Sequence, residues 1–135
     1  MTDWPIEVVP DADSLYMRLL AMFVVAGEIQ PGCFRAHGTD DSRGMSTDWD
    51  KYSTPAETRK RAESKPPSAY GVLSMIVGSV RGIEGLSVRH APSSSNQAHT
   101  NVNGVISDPE VDHTEVRERL ASIADLVIDP SQPVL

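Results

Sequence analysis

Chemistry in this chain has to come from four histidines, one cysteine and the polar residues beside them. The densest group is the run Arg89-His90-Ala91-Pro92-Ser93-Ser94-Ser95-Asn96-Gln97-Ala98-His99-Thr100-Asn101. If its serines fold back, His90, Asn96 and His99 face one cleft. Two imidazoles there would orient a ligand or act as general acid and base, since the ring titrates near neutral pH. The plainer use of the same residues is structural, with Asn96 closing a local turn and the histidines hydrogen-bonded within strands.

Other reaction classes find less support. Cys33, in Pro31-Gly32-Cys33-Phe34, has no basic neighbour before Arg35, and a lone cysteine beside an aromatic is usually a small packing residue. There is no Gly-x-Ser-x-Gly elbow and no phosphate-binding glycine loop ending in Lys-Ser/Thr. Asp40, Asp41, Asp48 and Asp50 would suit a hard cation, but their spacing matches no calcium loop. No two histidines stand four apart on a helix, so no metal is expected and the acids read as a solvated loop. No cofactor is implied. The basic run Arg59-Lys60-Arg61 reads as a solvated helix face.

The segment from Arg35 to Tyr52 gathers Arg35, His37, Arg43, Trp49 and Tyr52, residue types that recur at binding sites. It is expected to be an exposed loop that meets the ligand or partner. Trp49 is expected to staple the following helix to the core, and Tyr52 is left open between core and interface.

The elements that must position these residues follow from pattern. Residues 1–13 read as an arm with a turn at Pro10-Asp11. Leu15 to Val25 is apolar at nearly every position and fits either a buried helix or a central strand. Gly27 to Ser53 reads as a long polar loop. Thr54-Pro55-Ala56-Glu57 carries a capping box, which predicts a short, largely solvated helix over 55–64, stopped by Pro66-Pro67. Tyr70 to Val77 is a buried strand, Val77 to Ile83 a helical turn, and Leu86 to His90 a second strand. Asn103-Gly104 predicts a hairpin between 98–102 and 105–107. Asp112 and Glu115 suggest a second capping box for a helix whose apolar stripe is Val116, Leu120, Ile123, Ala124 and Val127; residues 130–135 form a tail.

The chain of 135 residues is long enough for one core, and 19 acids against 12 bases leave a net charge of −7. That field repels phosphate backbones, so dedicated nucleic-acid binding is disfavoured. No apolar run approaches the roughly 20 residues of a membrane helix, and the acidic N-terminus is unlike a secretory signal. One cysteine suits a reducing compartment, so a cytoplasmic location is expected. The expected fold is a single α+β domain: a short central sheet, a short capped helix in the middle and an amphipathic C-terminal helix.

Leu15-Tyr16-x-Arg18, Phe34-Arg35, Met45-Ser46-Thr47-Asp48, Thr54-Pro55-x-Glu57-Thr58, and His90 with Asn96-x-Ala98-His99 together resemble a set of small uncharacterised bacterial proteins. No activity is established for that set, so the resemblance carries over no catalytic residue. A further likeness is to ADP-ribosyltransferase-like folds, in which an early-strand arginine or histidine and a second-strand serine hold a nicotinamide dinucleotide. That likeness gives those parts to Arg18 and Ser46. The leading expectation is an accessory or interaction module that works with a larger protein partner. The alternative is a small enzyme or nucleotide-binding domain that uses Arg18, Ser46, His90 and His99.

Overall fold

The computed structural model describes residues 4–36, 44–105 and 112–135. Its frame is a six-stranded antiparallel sheet carrying three helices. Strand β1, Ser14–Leu20, resolves the ambiguous apolar run. Leu15, Met17 and Leu19 are buried on one face while Tyr16 and Arg18 occupy the other, the period of two that defines a strand. A tight turn through Ala26 and Gly27, both at positive φ, joins two short strands, β2 (Val24–Val25) and β3 (Glu28–Ile29).

Strand β4, Met45–Trp49, lies inside the stretch expected to be loop. Met45, Thr47 and Trp49 point to the core, and the Thr47 hydroxyl donates to the Thr100 carbonyl at 2.8 Å. The polar residues between them belong to the opposite face, so average polarity hid a half-apolar strand. Helix α1, Pro55–Lys60, has the expected capping box. Thr54 Oγ1 accepts from the Glu57 amide at 3.2 Å, and Glu57 Oε1 accepts from the Thr54 amide at 3.1 Å. The helix is shorter than expected, its last turn tightening where the Arg61 amide is shared by the Glu57 and Thr58 carbonyls. It is also less solvated, because Thr58 and Arg59 are buried.

Strand β5 (Tyr70–Ile76), helix α2 (Val77–Arg81) and strand β6 (Ser87–His90) fall where expected. Strand β7, His99–Asn103, pairs with both β6 and β4 rather than with a strand after Gly104. Gly104, at φ +107°, has no room for a side chain: a Cβ there would meet the Gly85 carbonyl. Residues 106–107 of the expected hairpin lie outside the described residues. Helix α3, Thr114–Ile123, begins without a side-chain cap on His113; Asp112 Oδ1 instead accepts from the Thr114 amide. It ends four residues early, and Asp125–Ile128 forms strand β8 on the edge of β5. Val127 is therefore an exposed strand residue, not part of the helical stripe. The backbone groups of β5 need partners on that side, and Leu126-Val127-Ile128 suits a strand.

The strand order is β6-β7-β4-β1-β5-β8. One face, with Val77, Val80 and Ile83 on and beside α2 and Leu120 of α3, makes the core. On the other face α1 packs across β1 and β5 and leaves the rest of β4 and β7 open. The arm is strapped down: the Asp13 and Asp11 carbonyls accept from the amides of Val77 and Gly78, and Arg81 donates to the Val9 carbonyl. Among the described residues no helix is long and apolar enough to cross a membrane.

Candidate functional site

Pairing fixes which side chains share the open face. Tyr16 lies opposite Asp48 and Asp48 opposite His99, giving one row across β1, β4 and β7. Two residues along, Ser46 is opposite Asn101, and Arg18 lies on the same face of β1 as Tyr16. One polar row, Tyr16–Asp48–His99, thus crosses three adjacent strands, with the Ser46–Asn101 pair and Arg18 beside it. Directly opposed side chains in such a sheet stand about 5 Å apart at Cβ, close enough to act together. Asn101 Oδ1 is buried with no hydrogen-bond partner among the described residues.

Tyr16, Arg18, Ser46, Asp48 and His99 floor a pocket of about 540 Å³, walled by Thr58 and Arg61 from α1 and its end, by Cys33 and Arg35, and by Ser93, Ser95 and Asn96 of the serine loop. That volume suits a small molecule. Asp48 ties the walls together. Its Oδ2 accepts from Arg61 at 2.9 Å and Thr58 Oγ1 at 2.8 Å, and its Oδ1 accepts from Asn96 Nδ2 at 2.8 Å. Asp48 is 5% exposed, so this bonding answers the cost of a buried carboxylate and leaves it a brace rather than a base. The reading of Asp48 as part of a solvated acidic loop is overturned; the alternation from Met45 to Trp49 was the signal.

His99 sits between two partners. Nδ1 is 2.8 Å from the Ala91 carbonyl and Nε2 is 3.2 Å from Ser46 Oγ. A carbonyl can only accept, so Nδ1 carries the proton, and in the neutral ring Nε2 is the acceptor of the serine hydroxyl. Arg18 donates one N–H to the Thr58 carbonyl at 2.7 Å, and its remaining N–H groups have no acceptor among the described residues. Arg35 donates to the Gly32 carbonyl at 3.1 Å and is otherwise exposed. The pocket wall holds three arginines, Arg18, Arg35 and Arg61, against two carboxylates, Asp48 and Glu63. In a chain of net charge −7 this is a local positive excess. Burial, with the nearby charge of Asp50, raises the Tyr16 hydroxyl, which keeps it a neutral donor in the pocket.

Three of the four candidate catalytic residues, Arg18, Ser46 and His99, therefore share one pocket with Arg35 and Asn96. His90 does not join them. It pairs with Thr100, one position from His99, so the two imidazoles leave opposite faces of the sheet. His90 is 1% exposed in the core, accepting from the Glu7 amide on Nδ1 at 3.0 Å and facing the Gln97 carbonyl through Nε2 at 2.7 Å. Trp49 and Tyr52 are on that side too: Trp49 is buried, and half-buried Tyr52 donates to Glu7. The 35–52 stretch is thus not one exposed loop, and His37 and Arg43 lie outside the described residues. Asn96 does close a local turn, its Oδ1 accepting from the Ala98 amide at 3.0 Å. The described residues bring together no three His, Cys, Asp or Glu side chains able to hold a metal.

Burial pushes the Cys33 thiol up to about 12, so it stays protonated at neutral pH although it borders the pocket. Native Cys33 is expected to react with iodoacetamide at least about a hundredfold more slowly than in urea, because only the thiolate attacks. The same shift has a sign for stability. The unfolded thiol ionises from about pH 9 while the folded one does not, so stability falls as pH rises beyond about 9. Rapid alkylation of the native protein would contradict both statements. Comparison of this chain with protein-family models, with curated proteins and with solved structures finds no match.

Proposed function

We propose that this domain is a small nucleotide-binding protein or enzyme whose pocket takes a phosphate-bearing small molecule. The observation that carries the reading is the convergence of Arg18, Ser46 and His99 on one open face, with a positive wall in an otherwise acidic chain. Guanidinium forks suit phosphate oxygens, and Arg18 retains unfilled donors for them. Tyr16 and Tyr70 border the same space and offer ring faces to a base. Arg18 and Ser46 are also the positions that the likeness to ADP-ribosyltransferase-like folds gives to dinucleotide contact.

A second reading, an accessory module docking a larger protein, keeps one specific support. Ile6 and Val8 on the arm are 66% and 87% exposed, beside a half-open Trp4. Trp49 is in the core, as expected, and Tyr52 is half-buried against Glu7, so the pocket is the better-founded site.

Calorimetric titration with ADP, a nicotinamide dinucleotide and inorganic phosphate tests the first reading. Binding of at least one nucleotide is expected, weakened about tenfold or more by Arg18→Gln, the loss of one charged hydrogen-bonding group. Arg35→Gln, at an exposed position, is expected to weaken it without altering the melting temperature. No binding across the panel, or binding indifferent to both substitutions, would overturn the reading.

A further inference from the structure

We infer that Ser46 is a nucleophile and His99 its general base, and that the substrate is a phosphodiester monoanion; the substrate class rests on the phosphate-pocket reading above. The pair has the geometry such chemistry needs. Ser46 Oγ lies 3.2 Å from His99 Nε2, within range for a base that tightens on substrate. The third position, held by a carboxylate in the familiar triads, is held here by the Ala91 carbonyl, 2.8 Å from Nδ1. That carbonyl is rigidly placed, because the Ala91 amide donates to the His99 carbonyl at 2.9 Å across the end of the β6–β7 pairing. The ring is thereby locked in the one neutral tautomer that turns a lone pair toward the serine. Arg18, which lines the same pocket as Ser46, has spare N–H donors for the equatorial oxygens of the phosphorus. The wall's excess of one positive charge matches a diester's single negative charge.

The reaction closes with water as the only co-reactant. Ser46 Oγ forms a bond to phosphorus while its proton passes to His99 Nε2. The bond from phosphorus to the ester oxygen in line with Ser46 breaks, and the leaving alkoxide takes a proton from a water on the far side. The hydroxide so formed attacks the phosphoseryl group in line and expels Ser46, which recovers its proton from His99. A diester and water become an alcohol and a monoester.

The full chain is treated with diisopropyl fluorophosphate and read by intact mass and peptide mapping. This neutral reagent needs the nucleophile but no anion site; Ser46 bonds to phosphorus and fluoride leaves. Turnover of bis(p-nitrophenyl) phosphate is measured in parallel. One diisopropylphosphoryl group on Ser46 is expected, absent in Ser46→Ala and slowed about a hundredfold in His99→Gln. Diester turnover is expected to vanish in Ser46→Ala, and in Arg18→Gln to drop more steeply than labelling does, because only the diester brings an anion to the site. Circular dichroism establishes that each variant folds; should Ser46→Ala fail, His99→Gln carries the same comparison. No label on the wild type, or a label indifferent to both substitutions, overturns the nucleophile. A label without diester turnover overturns the substrate class. Labelling of Ser46 with no nucleotide bound removes the pocket reading and leaves the nucleophile, and the converse result removes only the nucleophile.

Discussion

Arg59→Ala is expected to cost about 3 kcal/mol or more of folding stability, read as a lower urea midpoint. The side chain is 2% exposed, and among the described residues its guanidinium donates only to backbone carbonyls. Nε reaches Pro67 at 3.2 Å and Tyr70 at 2.8 Å, Nη1 reaches Pro133 at 3.2 Å, and Nη2 reaches Pro130 at 3.2 Å. One planar fork thus fastens α1 to the start of β5 and to the C-terminal tail. Truncation leaves the carbonyls of half-buried Pro67, Tyr70 and Pro130 short of a donor, the costly half of losing a hydrogen bond, while exposed Pro133 turns to water. Arg59→Lys is expected to recover little, because an ammonium cannot span two chain segments as the fork does. Faster hydrogen exchange at residues 131–135 should accompany the loss. A midpoint equal to wild type in Arg59→Ala would show that the fork contributes nothing to the fold.

Arg59 also marks where sequence reasoning stops. Arg59-Lys60-Arg61 looks like a uniform basic face, and only the packing of α1 on the sheet divides it. Arg59 turns inward, Lys60 outward, and Arg61 toward Asp48. What was legible depended on neighbours in sequence: the Thr54–Glu57 capping box, the apolar strand at Tyr70, the turn of α2. The alternation Leu15, Met17, Leu19 against Tyr16, Arg18 was also present, hidden by apolar residues after it. Strands β4 and β8 were missed for a common reason. Each is short, its inward positions are few, and its identity is set by the partner edge it fills rather than by its own composition. The site followed the same division. Arg18, Ser46 and His99 were named for their chemistry, but nothing local fixed the register that puts His90 on the other face. Arg61 and the bracing part of Asp48 depend on contacts between elements and had no local signal beyond the alternation of β4.

Trp49→Ala is expected to cost about 3–5 kcal/mol, the range for deleting a buried aromatic. Trp49 is 1% exposed at the centre of the core. It meets Tyr52 edge to face at 5.4 Å and His90 at 5.1 Å, and its indole N–H donates to Asp13 Oδ2 at 2.8 Å. Its neighbours are the same groups that hold the arm, since His90 accepts from the Glu7 amide and Tyr52 donates to the Glu7 carboxylate. Trp49 is also on β4 with Ser46, on the opposite face of the strand. A cavity beneath β4 should loosen the register that sets Ser46 against His99, so nucleotide binding and serine labelling are expected to fall with stability. Trp49→Phe separates the two contributions. It keeps most of the apolar volume and loses the bond to Asp13, so it should cost about 1–2 kcal/mol and leave the pocket intact. Full stability in Trp49→Ala would mean that the core does not rest on this side chain. Full labelling in a strongly destabilised Trp49→Ala would mean that β4 holds its register without the packing behind it.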